Sequence, residues 1–278
     1  MRLSPAYGGV RDARPRMHGL VGAYPRAMAA LHEGPHPATV EHVSVAGVDG
    51  AQVSTALATP TDVPAPGSSA PRAVVVHPDL MGVRPLFDDL CRRLATHGFV
   101  VACPEPFARA TPEERAAEDP SVRMGMIPAL DDWVQLGDLA AAADLACERS
   151  ASGTAAIIGF CMGGMQTLKA AATGRYARAV AFYGMIRLPE TWRGPTVRDA
   201  LESAADVCPT LALFGDADPW TPAADVEALR EAWADRPDCE VVVYPGADHG
   251  FVHAPERPAH RVDDAADAWR RTLGWISG

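Results

Sequence analysis

Residues 154–166 read TAAIIGFCMGGMQ: an apolar run reaches a glycine, sets Cys161 between Gly159 and Gly163, and continues into a helix-like stretch. This is the pattern of a buried strand passing through a tight turn into a helix. Glycines flank such a turn for steric reasons, because side chains two residues from the bend would meet the neighbouring strand and helix. The turn exposes the Cys161 sulfur at a helix N-terminus, where the dipole favours negative charge. G-x-C-x-G is a short motif, and a cysteine at a bend is more often packed core than nucleophile. The order of the other elements has to decide.

Outward from this stretch the chain alternates. Apolar runs stand at 73–77, 99–104, 154–160, 179–184, 210–215 and 240–246. Amphipathic stretches follow, at 85–98, 129–150, 164–175, 223–236 and 262–276. Continuous apolar strands alternating with helices predict an α/β fold with a mostly parallel sheet covered on both faces. Upstream, two β-rich runs flank Val48-Asp49-Gly50-Ala51, and Asp-Gly is a strong hairpin turn. The Pro-, Gly- and Ser-rich segment 61–71 reads as a surface loop, and a short helix is expected within 25–34. Residues 1–38 read as an N-terminal extension of unclear structure, and 39–278 as one α/β domain.

Composition narrows the function classes. The 278 residues are 48% hydrophobic and 22% charged, with no apolar run near the roughly 20 residues a membrane helix needs. The basic N-terminal residues have no apolar stretch behind them, so a cytoplasmic location is expected. A net charge of −10 argues against nucleic acid and anionic membranes as partners. The six cysteines form no C-x-x-C pair and no Cys/His cluster at zinc spacing, so neither metal nor cofactor is expected.

Ligands of parallel sheets bind at the carboxyl ends of the strands. After the run ending at Gly215 come Asp216 and Asp218, either able to orient a histidine or simply to cap a turn. The spacing G-x-x-D-x-x-x-P, with Gly215 and Pro222, favours Asp218. After the last run comes His249, in Ala-Asp-His-Gly-Phe. Nucleophile, acid and base thus follow one another in the chain order Cys161, Asp218, His249, the order of α/β-hydrolases.

With these residues in place the sequence resembles the dienelactone hydrolase family of α/β-hydrolases, from about residue 40 to 275. The resemblance is carried by GFCMGG at 159–164, FYG at 182–184, GDADPWTP at 215–222, DHGF at 248–251, HPDLMGVRP at 77–85 and ACPEPFAR at 102–109. It implies the α/β-hydrolase fold, with Cys161 as nucleophile, His249 as base and Asp218 fixing the imidazole tautomer. It also implies an oxyanion hole from the backbone N–H groups of Leu80 and Met162. Where the family often has a glutamate that gates the cysteine, this chain has Asp79, one methylene shorter, which also reads as a plain loop-stabilising turn residue. Where the family has a carboxylate-binding arginine four residues after the histidine, this chain has His253. The substrate expected is therefore a small ester or lactone other than dienelactone itself.

Arg109 and Arg123 are candidate replacement cations, each also readable as a solvated surface residue. Phe107, Tyr183, Trp192 and Trp220 are candidate pocket walls, and 185–206 a candidate partial lid. Hydrolysis through a Cys161 acyl-thioester by a monomer or homodimer is the leading expectation. Thioesterase, acyl-transfer, cyclase or isomerase chemistry on the same scaffold is the alternative, ahead of a non-catalytic ligand-binding or thiol-sensing protein.

Overall fold

A computed structural model of the chain describes residues 30–62, 72–252 and 255–278. Eight strands form one sheet: β1 (Ala38–Ala46), β2 (Gln52–Pro60), β3 (Ala73–His77), β4 (Val100–Pro104), β5 (Ala155–Phe160), β6 (Tyr176–Phe182), β7 (Thr210–Gly215) and β8 (Cys239–Tyr244). Their order across the sheet is β1-β2-β4-β3-β5-β6-β7-β8. The first two form the expected hairpin, and β2 joins β4 antiparallel; every pairing from β4 to β8 is parallel.

Burial explains why the parallel strands read as continuous apolar runs. Every residue of β3, β4, β5 and β7 is buried, because helices cover both faces. On one face Val74, Val76, Val101, Ile158 and Val180 pack with α1 (Pro85–Thr96) and the C-terminal helix Val262–Ser277. On the other, Val75, Ala102, Ile157 and Ala179 pack with Asp132–Ser150, Met162–Ala171 and Ala223–Ala232. With the short helices Pro112–Ala116 (α2) and Pro120–Met126 (α3), these become α4 (132–150), α5 (162–171), α6 (223–232) and α7 (262–277) in chain order. Each fully buried valine or isoleucine contributes about 1.5–3 kcal/mol, so the two layers hold the sheet on their own scale.

Local signals set the helix ends. α1 begins with Pro85 in its first turn, where no N–H is needed. The Asp131 side chain accepts the N–H groups of Trp133 and Val134 to start α4, which Ala151 ends in a left-handed conformation. α2 is too short to show a period, yet Thr111 and Glu114 form a full capping box before it.

One expectation changes. Residues 185–206 do not stand off as a lid: Met185, Ile186, Leu188, Trp192, Val197 and Ala200 are buried in the core layer beside α5. Most of the expected loop 61–71, and residues 25–29 of the helix expected within 25–34, lie outside the described residues; residues 30–34 are not helical. Of the N-terminal extension, the described part reaches α1, where Leu31 is buried and its carbonyl accepts from Arg93.

Candidate active site

Cys161 sits between the end of β5 and the first residue of α5, with φ 58° and ψ −120°. A side chain rarely tolerates that φ, so the surroundings must hold it there. They do so through backbone: Cys161 N–H donates to Phe182 O, and Met165 N–H donates to Cys161 O. The flanking glycines are explained by contact. A methyl group at Gly159 would lie 2.1 Å from Gly163 O, and one at Gly163 would lie 2.3 Å from Pro78 O.

The two candidate acids separate in space. Asp218 Oδ2 lies 2.8 Å from His249 Nδ1, and its Oδ1 accepts the N–H of Trp220 at 2.8 Å. Asp216 instead accepts the N–H of Gly246 at an exposed turn. With Nδ1 given to Asp218, the other ring nitrogen is left for Cys161, which hydrogen-bonds the ring. Burial opposes charging His249, but negative charge at Cys161 and the bond to Asp218 outweigh it, and the pKa rises to about 10. At neutral pH the ring is an imidazolium beside the sulfur. Cys161, His249 and Asp218 are brought together in hydrogen-bond sequence.

Leu80 and Met162 are both buried, and Met162 directly follows Cys161. Met162 opens α5, and Leu80 follows Asp79 in a turn closed by the N–H of Gly82 on Asp79 O at 2.9 Å. Among the described residues, neither the Leu80 nor the Met162 amide donates to a backbone carbonyl in the turns and loops. Asp79 forms a bidentate pair with Arg84 at 2.7 and 2.8 Å and accepts the N–H of Met81, the turn-stabilising arrangement. Both of its oxygens are engaged there.

Arg109 pairs with Asp138 and Asp49, which balance its charge, and lines a cavity of about 410 Å³ with Phe107, Met126, Leu130 and Val134. The surface reading of Arg123 is corrected: at 5% exposure it is buried, resting on the Phe107 ring near Glu105. His253 lies outside the described residues.

Of the aromatic candidates, Tyr183 is buried with φ 39° and packs edge-on against His249, ring centroids 4.9 Å apart. It props the imidazole from behind the sheet end. Trp192 is buried and stacks on Trp220 at 5.7 Å. Trp220 is half-exposed, lies 6.5 Å from the His249 ring, and lines a cleft of about 300 Å³ with Arg187, Leu188, Pro189 and Pro222.

Some polar residues around the site have no role assigned from the sequence. His77, buried at the end of β3, bonds the Pro78 carbonyl at 3.0 Å, and burial lowers its pKa to about 4, so the ring is neutral and Nδ1–H donates. Glu105 accepts two backbone amides. Asp132 and Lys169, the only lysine, form a buried pair at 2.9 Å that ties α4 to α5. HPDLMGVRP and ACPEPFAR contain His77 and Glu105 at strand ends, but neither motif gives them a role.

Residues 53–278 match the model of the Dienelactone hydrolase family. A Methylorubrum extorquens protein named "Putative carboxymethylenebutenolidase" is 34% identical over 219 residues, 77% of this chain and 74% of that one. The Pseudomonas putida "Carboxymethylenebutenolidase" is 26% identical over 245 residues, 85% and 96% of the two chains. Among solved structures, a "Putative Dienelactone Hydrolase" from Klebsiella pneumoniae superposes with a TM-score of 0.77 at 29% identity, covering 86% of this chain and 98% of that one. No helix among the described residues is long and apolar enough to cross a membrane.

Proposed function

The chain belongs to the dienelactone hydrolase family and is a hydrolase of lactone or ester bonds, and from that premise we propose that it acts through a covalent acyl-thioester on Cys161. The observation that carries the reading is the alignment of Asp218, His249 and Cys161 at one strained strand-to-helix turn.

Cys161 thiolate attacks the substrate carbonyl, and the developing oxyanion is met by the N–H groups of Leu80 and Met162. His249, a cation below about pH 10, gives its proton to the departing oxygen. The neutral ring, its tautomer set by Asp218, then takes a proton from water, which attacks the thioester. The tetrahedral adduct collapses, its carbonyl re-forms as the C–S bond breaks, and the acid leaves while the proton stays on His249, restoring the thiolate and imidazolium. Asp218 keeps its charge throughout.

The substrate is a small ester or lactone. Arg109, neutralised by Asp49 and Asp138, is not its carboxylate anchor. Trp220 offers an apolar face at the mouth of the adjoining cleft. Changing Cys161 to Ala abolishes turnover of p-nitrophenyl acetate under this reading; turnover at the wild-type rate contradicts it.

A further inference from the structure

We infer that Glu105 is a positioning residue whose carboxylate clamps the oxyanion loop, residues 78–84, in the register that presents Leu80 N–H to the substrate. This rests on the reading of that amide as an oxyanion donor.

Glu105 follows β4 and is buried, at the carboxyl end of the sheet. Its Oε2 accepts the N–H of Val83 at 2.9 Å, and its Oε1 accepts the N–H of Phe107 at 3.1 Å. One side chain thus joins the loop after β3 to the loop after β4. The approach is close: a methyl group at Gly82, where φ is +69°, would lie 2.7 Å from both carboxylate oxygens. Glycine at 82 both makes the turn and leaves room for the carboxylate.

The loop is fixed at its other end as well. His77 Nδ1 bonds the Pro78 carbonyl at 3.0 Å, and the Asp79–Arg84 pair braces the middle, with Arg84 also donating to Gly82 O. Leu80 lies between the two anchors. In the turn from Asp79 to Gly82 its N–H takes no part in the closing bond, which leaves it facing outward from the turn. A buried carboxylate needs compensation, and two amides with the Arg123 guanidinium 3.8 Å away supply it. Burial pushes the Glu105 carboxyl up while these donors hold it down, so the group sits here at a cost that a surface loop would not require.

The test separates oxyanion stabilisation from thiolate reactivity. Acylation by p-nitrophenyl acetate builds an oxyanion, whereas alkylation of Cys161 by iodoacetamide displaces iodide at a saturated carbon and builds none. Glu105→Gln keeps the shape but has one acceptor oxygen for two amides. Glu105→Asp keeps the charge but falls one methylene short of Val83. In both variants the pre-steady-state acylation rate should fall about 10- to 100-fold, the scale of a misplaced donor, with alkylation within about twofold of wild type. Thermal unfolding is recorded alongside. Equal losses in both reactions, unchanged acylation, full recovery in Glu105→Asp, or collapse of the fold in both variants would overturn the inference. If iodoacetamide does not label Cys161 in the wild type, or Cys161→Ala still turns over ester, the underlying reading has failed instead, whatever the Glu105 variants do.

Discussion

Replacing Asp218 with Asn probes the relay at its buried end. Two donors converge on this carboxylate, Trp220 N–H on Oδ1 and His249 Nδ1 on Oδ2, each at 2.8 Å. Asparagine has one acceptor oxygen. If that oxygen stays with Trp220, the amide NH₂ faces Nδ1, and the neutral ring must carry its proton on the nitrogen facing Cys161. If the oxygen turns to His249, a buried amide loses its partner, at about 1–3 kcal/mol. In either case the imidazolium loses its adjacent charge. We expect kcat/KM for p-nitrophenyl acetate at pH 8 to fall about 10²- to 10⁴-fold, or about 3–5 kcal/mol of transition-state stabilisation.

The pH profile carries the sign. The folded His249 pKa is raised, to about 10, so the ring is protonated through neutrality and activity should be lost on the alkaline side with a midpoint near 10. Without the Asp218 charge that limb should move down by about 1–3 units, toward the ordinary histidine value. A variant within about threefold of wild type, with its alkaline limb unmoved and its fold intact, would refute the reasoning.

Other outcomes follow from the buried groups. His77 has a folded pKa depressed from 6.5 to about 4 by burial, so its contribution is complete above pH 6.5 and is lost as pH falls toward 4; the loss is about 3 kcal/mol, read from urea midpoints, and His77→Gln should flatten it. Asp132 accepts from Lys169 twice, from Gln166, and from Arg198 N–H. Lys169→Met leaves that carboxylate without its cation and should cost about 3–5 kcal/mol in chemical denaturation, whereas an exposed pair such as Arg198–Glu202 should cost less than about 1.

Much of this was legible in the chain because its cause is local. The six apolar runs coincide with β3 to β8 to within a few residues. The largest offset is at β6, which begins at Tyr176 and ends at Phe182. The apolar run starts late because half-buried Arg178 interrupts the strand's first residues, and ends late because Tyr183, buried but with φ 39°, belongs to the core and not to the strand ladder. Hydrophobicity reports burial, and hydrogen-bond registry is a separate matter. Cys161, Asp218 and His249 could be found because each follows a strand and chain order is visible.

The supporting groups could not be found that way. Arg109 is spoken for by Asp49 and Asp138, 60 and 29 residues away, and only the folded sheet brings them together. Glu105 binds backbone amides, which have no side-chain signature. Arg123 read as a surface cation because α3 is a seven-residue helix with no clear apolar face, and the Phe107 ring beneath it lies in a different loop.

The most direct test of the account is to capture the covalent intermediate. The enzyme is mixed with excess p-nitrophenyl acetate, quenched in acid within milliseconds, digested, and the peptide carrying Cys161 weighed. The account predicts an acetyl mass increase on Cys161, removed by neutral hydroxylamine, formed and lost at rates consistent with turnover, and absent in Cys161→Ala. A burst of p-nitrophenolate with no label on Cys161, or with the label on another residue, would contradict it.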